Sequence, residues 1–248
     1  MANTVRSLLF IVTVTASTAV PGQAFEYQWP ITELIRADAD VIQIGNKTGE
    51  VIQTLETAQL RLLYAIKTAI EEVAELDTEL IIVDGNVPNA FAGAGQDGRP
   101  IIGINFGMLK LLGMDPHAAA ALLGHETAHL KLEHGEQRRS QAAAGGILSV
   151  LGGAVLSGMG IPGAYTLSNL AVAAVQSGYS RENEREADYL GAIWSVEAGF
   201  EAGGAARLHE AMSNIPRASS QSFLSTHPSG PERIATLRAL AKRLSRGP

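Results

Sequence analysis

Apolar positions along the chain change their spacing several times, and each change marks an element. Over 31–76, Leu55, Leu62, Ile66, Ala69 and Val73 recur at three-, four- and seven-residue intervals. That spacing places side chains on one helix face and predicts a long amphipathic helix. The β-branched runs 79–84 (ELIIVD) and 100–105 (PIIGIN) read as two short strands around a Gly- and Asn-rich loop, 85–99. Asp115 before Pro116 is a helix start, and the helix it opens runs over 118–134 towards a stop near Gly135. Ser180 caps a second helix over 181–197, with Gly199 as its stop. Further helices are expected over 202–214 and 232–244, the last ending in a basic turn that suits its dipole. The sum is a mainly α chain with a small β-sheet, an α+β fold.

Two stretches depart from this alternation. From Gln141 to Ser180 there is no charged residue, only Ala-, Gly-, Leu- and Val-rich sequence broken by Gly158, Gly160, Pro162 and Gly163. Either a membrane hairpin or a pair of packed helices fits. The second arm, from 164 on, is too short and too polar to span a bilayer, so an uncharged helical insert with possible peripheral membrane contact is the favoured reading. At the N-terminus, Arg6 precedes an apolar run over 8–20, and Gly22-Gln23-Ala24 follows Pro21. This pattern predicts a signal peptide over 1–24, cut after Ala24, and a mature domain over 25–248. An uncleaved anchor is the alternative. Export to a periplasmic or similar compartment follows.

Composition then removes classes of function. Of 248 residues, 46% are hydrophobic and 18% charged, as in a globular domain. A net charge of −6 gives no basic face for nucleic acid. The absence of cysteine excludes disulfides, thiolate metal sites and a cysteine nucleophile.

The chemistry concentrates in His125-Glu126-Thr127-Ala128-His129. On a helix the two imidazoles lie one above the other, where both reach one zinc ion, and Glu126 sits one position round, where it can touch a water. Catalytic zinc needs a third protein ligand and keeps a position open. His134 misses the spacing of the metzincin third histidine by one residue and reads as a helix C-terminal residue. Glu184 is the better candidate. It belongs to the chain's single Glu-x-x-x-Asp, in which Asp188 shares its face and can accept the free ring N–H of a ligand histidine. His117 and His209 read as surface residues.

With Ser180-Arg181-x-x-Glu184-x-x-Ala187-Asp188 following the His-Glu-x-x-His run, the chain resembles the HtpX-, BepA- and LoiP-type zinc metallopeptidases, the family that also holds the CAAX prenyl proteases. Pro88-Asn89-Ala90-Phe91-Ala92, Gly107-Met108-Leu109 and Ser225-Thr226-His227-Pro228 with Pro231-Glu232-Arg233-Ile234 match lesser family segments. The likeness covers roughly 31–244 and does not extend to the C-terminal helical repeats of BepA-type proteins. It implies a thermolysin-like (gluzincin) domain, one zinc on His125, His129 and Glu184, and Glu126 as base in peptide-bond hydrolysis. Polypeptide substrates, and quality control of misfolded envelope proteins, are implied by the family and by export.

Two further expectations concern substrate. His227, in a Gly- and Pro-rich loop, is a candidate oxyanion donor, or a lid occupying the open zinc position. Extended substrate is expected to pair with an edge strand at 101–105 through Ile102 and Ile104, with Asn89 helping to place it. A binding protein that had lost turnover would show loss of Glu126 or a ligand, and neither is lost here.

Overall fold

The computed structural model describes residues 27–46, 48–95, 97–141, 179–215, 223–228 and 230–246. Strands β4 (Glu79–Val83) and β6 (Pro100–Asn105) arise where both β-branched runs were expected, and they pair in parallel. Strand β1 (Gln28–Pro30) flanks β4, and β5 (Ala90–Ala94), cut from the predicted loop, flanks β6. The order β1-β4-β6-β5 therefore places β6 inside the sheet and β5 at its edge. This corrects the expected edge at 101–105. Both backbone sides of β6 are already paired, and Ile102 and Ile104 are buried, so neither is open to a substrate strand.

The long helix expected over 31–76 is also shorter than its periodicity suggested. A four-residue helix, α1 (Ile31–Leu34), is followed by a hairpin of β2 (Val41–Gly45) and β3 (Val51–Glu56), and only then by α2 (Thr57–Ala74). The reason is local. Ile42 and Ile44 alternate inward with a period of two. Asn46 closes the turn by accepting from the Thr48 and Glu50 amides, and Gly49 supplies a φ of 82°. The buried face of α2 is Leu60, Leu63, Ile66 and Ile70, one step round from the stripe read off the sequence.

Helix α3 (Phe106–Leu112) starts at Asn105, whose side chain accepts from the Met108 and Asn89 amides and donates to the Val87 carbonyl. One side chain thus ties the end of β6 to the chain entering β5. Helix α4 (Pro116–Lys131) is capped by Asp115, which accepts from His117 and Ala118. It is buried continuously from Ala118 to His129, so its small apolar residues serve packing on every side. Helix α5 (Arg181–Glu197) begins in a capping box between Ser180 and Asn183. Helices α6 (Gly204–Ser213), α7 (Phe223–Thr226) and α8 (Pro231–Leu244) complete the described chain. The uncharged insert lies almost wholly outside the described residues, as does the leader. Among the described residues no helix is long and apolar enough to cross a membrane.

The site depends on how closely α4 and α5 approach. A Cβ at Gly191 would stand 2.6 Å from the His125 amide nitrogen, and one at Gly124 would stand 2.6 Å from the Gly191 carbonyl oxygen. Backbone meets backbone here, and no side chain can yield. Gly191→Ala should therefore force the helices apart, at about 1–3 kcal/mol. For a domain of this size that is a fall in melting temperature of roughly 2–12 °C, read by circular dichroism on the metal-free chain. An unchanged transition would mean that the helices can part without cost.

Candidate functional site

Two turns of α4 present His125 and His129, α5 presents Glu184 and Asp188, and the turn after α7 presents His227. Ligand atoms of His125, His129, Glu184 and His227 all lie within 4.8 Å of one another, and all four residues are buried. His129 Nε2 is 3.0 Å from His125 Nε2, which is 3.2 Å from His227 Nδ1. Glu184 stands 3.4 Å from His129 Nε2, 3.6 Å from His125 Nε2 and 3.0 Å from His227 Nδ1. The three residues expected to hold the metal, together with His227, are thus brought to one point.

The far sides of the rings are also engaged. His125 Nδ1 faces Asp188 Oδ1 at 3.1 Å. Asp188 in turn accepts two hydrogen bonds of 2.7 Å from Arg233 on α8, in the fork geometry of a bidentate pair. Arg233 also contacts Glu184 and donates to the Pro228 carbonyl. Tyr179 stacks on His129 with centroids 3.9 Å apart, and Phe223 stacks on His227 at 4.2 Å. The Tyr179 amide donates to the Thr226 carbonyl, and the Phe223 amide to the Pro88 carbonyl. These contacts hold the His227 turn over the centre.

Whether the residues suit a metal can be tested on proton positions. The Asp188 carboxylate, 3.1 Å from His125 Nδ1, favours a proton on that nitrogen, and the Nε2 of the ring then carries a lone pair. His129, contacted on Nδ1 by another group (His134, 3.0 Å), is in the same state when that nitrogen carries its proton. Two lone pairs then oppose each other at 3.0 Å beside a carboxylate. A cation between them removes the repulsion, so the donor set fits zinc.

Glu126 lies in the same chamber with both carboxylate oxygens buried and without a hydrogen-bond partner among the described residues. His227 Nε2 stands 3.5 Å from Oε1. Burial raises the Glu126 pKa, against the opposing fields of His227 and His125. Glu184 is also buried, but His227 and the contacting His129 hold its carboxyl far below the usual range. Burial opposes charge on both nearby rings. It prevails at His129, whose pKa falls well below normal, while the Asp188 contact and the field of Glu184 reverse it at His125.

Two histidines are not where the sequence suggested. His134 is buried against His129, and His209 is buried on α6. His209 shares a cavity of about 10 Å³ with His125 and Asp188. His117 is half-buried and accepts from the Glu201 amide. Position in a helical segment is the signal that could have found His209: Ala206, His209 and Met212 recur every three residues and are all buried. Arg233 was quoted in a motif without a role, and nothing local in the sequence marks its partner 45 residues away.

Residues 56–241, well over half of the chain, match peptidase family M48. The chain belongs to that family. It is 31% identical over 168 residues, 67% of its length, to the mitochondrial metalloendopeptidase OMA1 of Schizosaccharomyces pombe, and covers 47% of that protein. It is 29% identical over 157 residues, 60% of its length, to the protein of the same name from Saccharomyces cerevisiae, covering 42% of it. The chain thus spans less than half the length of the curated relatives it matches.

Burial pushes the His209 pKa down to about 3, with the Arg233 charge adding to the effect. The unfolded chain takes up this proton near pH 6.5. Between those values the unfolded state binds more protons, so stability falls as pH drops through the window, by at most about 1.4 kcal/mol per pH unit. Urea unfolding of the metal-free chain from pH 7 to pH 4.5 should show a shallower acid loss for His209→Phe than for wild type. Parallel profiles would assign the acid sensitivity to other groups.

Proposed function

We propose that this M48 chain is a zinc-dependent metalloendopeptidase in which His125, His129 and Glu184 hold one zinc ion per chain and Glu126 is the general base. The observation that carries this reading is the convergence of four buried donor groups beside a carboxylate whose oxygens have no hydrogen-bond partner among the described residues. Family membership and the names of the two fungal relatives support it. When bound, zinc supplies Lewis acidity, polarising a carbonyl and lowering the pKa of water.

The chain's own residues supply the rest. Glu126, made more basic by burial, takes the proton of the attacking water and delivers it to the leaving amine nitrogen. Asp188, facing His125 Nδ1 at 3.1 Å, favours the proton on that nitrogen, and Arg233 fixes Asp188. His227 completes the group of four, so the observed position favours the lid over the oxyanion donor. With a metal bound, His227 would take the place that a substrate carbonyl needs.

Substrate is a polypeptide in extended form, and the strand that would receive it is β5. Its outer side pairs with no strand among the described residues. Asn89, at the entrance to β5, keeps a buried side-chain oxygen without a hydrogen-bond partner among the described residues and remains the candidate to place the substrate backbone. Export rests on the leader-like 1–24 alone, outside the described residues, and the fungal relatives carry a mitochondrial name. Removal of misfolded envelope proteins is the role that export and an appetite for extended chains suggest together. Contact of 141–180 with a membrane surface remains part of this proposal and falls almost wholly outside the described residues.

Incubation with unfolded casein should give fragments that disappear with chelator and return with zinc. Glu126→Gln should lower the rate at least a hundredfold, the lower end of what a positioned base contributes, while metal analysis still finds one zinc per chain. Cleavage by Glu126→Gln at the wild-type rate would remove the assignment. His227→Ala should raise the casein rate. A fall would make His227 an oxyanion donor, and no change would leave it outside the reaction.

A further inference from the structure

His129 has a partner that the mechanism above does not use. Its Nδ1 lies 3.0 Å from Nδ1 of His134, and Nε2 of His134 lies 3.1 Å from Glu186 Oε2. His134 is 1% exposed, whereas the Glu186 side chain is 53% exposed. A row of polar groups therefore leads from the centre of the site to the surface.

The backbone is shaped for this contact. Five residues along a continuous helix would leave His134 well round from His129. Instead α4 ends at Lys131, and Glu133 adopts a φ of 56°, the left-handed region that a non-glycine residue rarely occupies. The chain then re-enters helix at 134, with the Glu136 and Gln137 amides bonded to the Glu133 carbonyl. This turn brings His134 back over His129.

Two nitrogens at 3.0 Å can share one proton only. A carboxylate at His134 Nε2 requires the proton of a neutral ring to be there, because Glu186 can only accept. His134 Nδ1 then carries a lone pair and must receive a proton from His129 Nδ1. That leaves the lone pair of His129 on Nε2, pointing at His125 Nε2 and Glu184. The reverse arrangement would put a proton on His129 Nε2 and prevent that ring from binding a cation there.

We propose that Glu186 and His134 are positioning residues that set the tautomer of His129 and so prepare it as a metal ligand. The proposal rests on the zinc reading for its purpose, but the tautomers it specifies exist without metal. The two histidine ligands are then supported differently: His125 by a buried carboxylate braced by arginine, His129 by an imidazole whose own proton is held by a surface carboxylate.

The test uses long-range proton–nitrogen NMR of the whole chain labelled with ¹⁵N-histidine, with and without zinc, alongside zinc titration against a chromophoric chelator. In the metal-free chain His129 should carry its proton on Nδ1 and His134 on Nε2. Glu186→Ala, at an exposed position that leaves the fold intact, should mix the His134 tautomers, and Glu186→Gln, whose amide oxygen still accepts, should restore them. His134→Phe should weaken zinc by about 10- to 100-fold, with His134→Gln as the smaller polar substitute if the phenylalanine does not fold. A His134 protonated on Nδ1, or tautomers untouched by Glu186→Ala, would overturn the relay. Failure of wild type to take up zinc while the tautomers stand as stated would instead strike the metal reading alone.

Discussion

The contact on which the site depends is one between backbones. Gly124 and Gly191 let α4 and α5 approach until the carbonyl of one helix lies where a side chain of the other would start. Only at that distance does Glu184 on α5 reach the two imidazoles on α4. Each glycine weakens its own helix by about 1 kcal/mol relative to alanine. That cost is accepted where the two helices must meet, and nowhere else along the buried run of α4 does glycine interrupt the alanines and leucines.

Close approach creates an electrostatic demand. Glu184 is buried and Asp188 largely so, and carboxylates in such places are tolerated only when paired. The chain pairs them twice over. Imidazoles approach from inside the site, and Arg233 approaches from α8 with a fork that spans both carboxylates. Glu126 is treated in the opposite way, buried with no hydrogen-bond partner for either oxygen among the described residues. Two carboxylates within one chamber therefore have pKa values pushed in opposite directions, the arrangement expected where one group holds a charge and the other moves a proton.

What could be read in advance was the local part. Asp115 and Ser180 mark helix starts because a cap acts over three residues, and both caps form. His125, Glu126 and His129 were legible because helical spacing alone makes them neighbours. The hairpin over 41–56 was missed because Leu55 happens to fit a helical period with the residues after it, while the period-two pattern of Ile42 and Ile44 is only two residues deep. The sheet edge was misplaced because strand order is a long-range property: β5 carries Ala-Phe-Ala-Gly-Ala, weak strand sequence that pairs only because β6 is beside it. His134, read as a helix C-terminal residue, is instead buried against His129, because the chain turns at the left-handed Glu133, a non-glycine with no sequence signature.

The same long-range logic ties the C-terminal segment to the chemistry. Arg233 holds Asp188 with two hydrogen bonds and the Pro228 carbonyl with a third, one residue beyond His227. The guanidinium that braces the carboxylate behind His125 thus also anchors the turn that lays His227 over the site. A movement of His227 away from the centre therefore has two hinges to choose between. One breaks the Pro228 contact and leaves Asp188 braced. The other carries α8 with it and withdraws the charge that makes burial of Asp188 tolerable. The first disturbs a single neutral acceptor, whereas the second exposes a buried ion pair, whose loss is the larger cost. An opening that spares His125, His129 and Glu184 must accordingly pivot between His227 and Arg233, with α8 staying docked on α5.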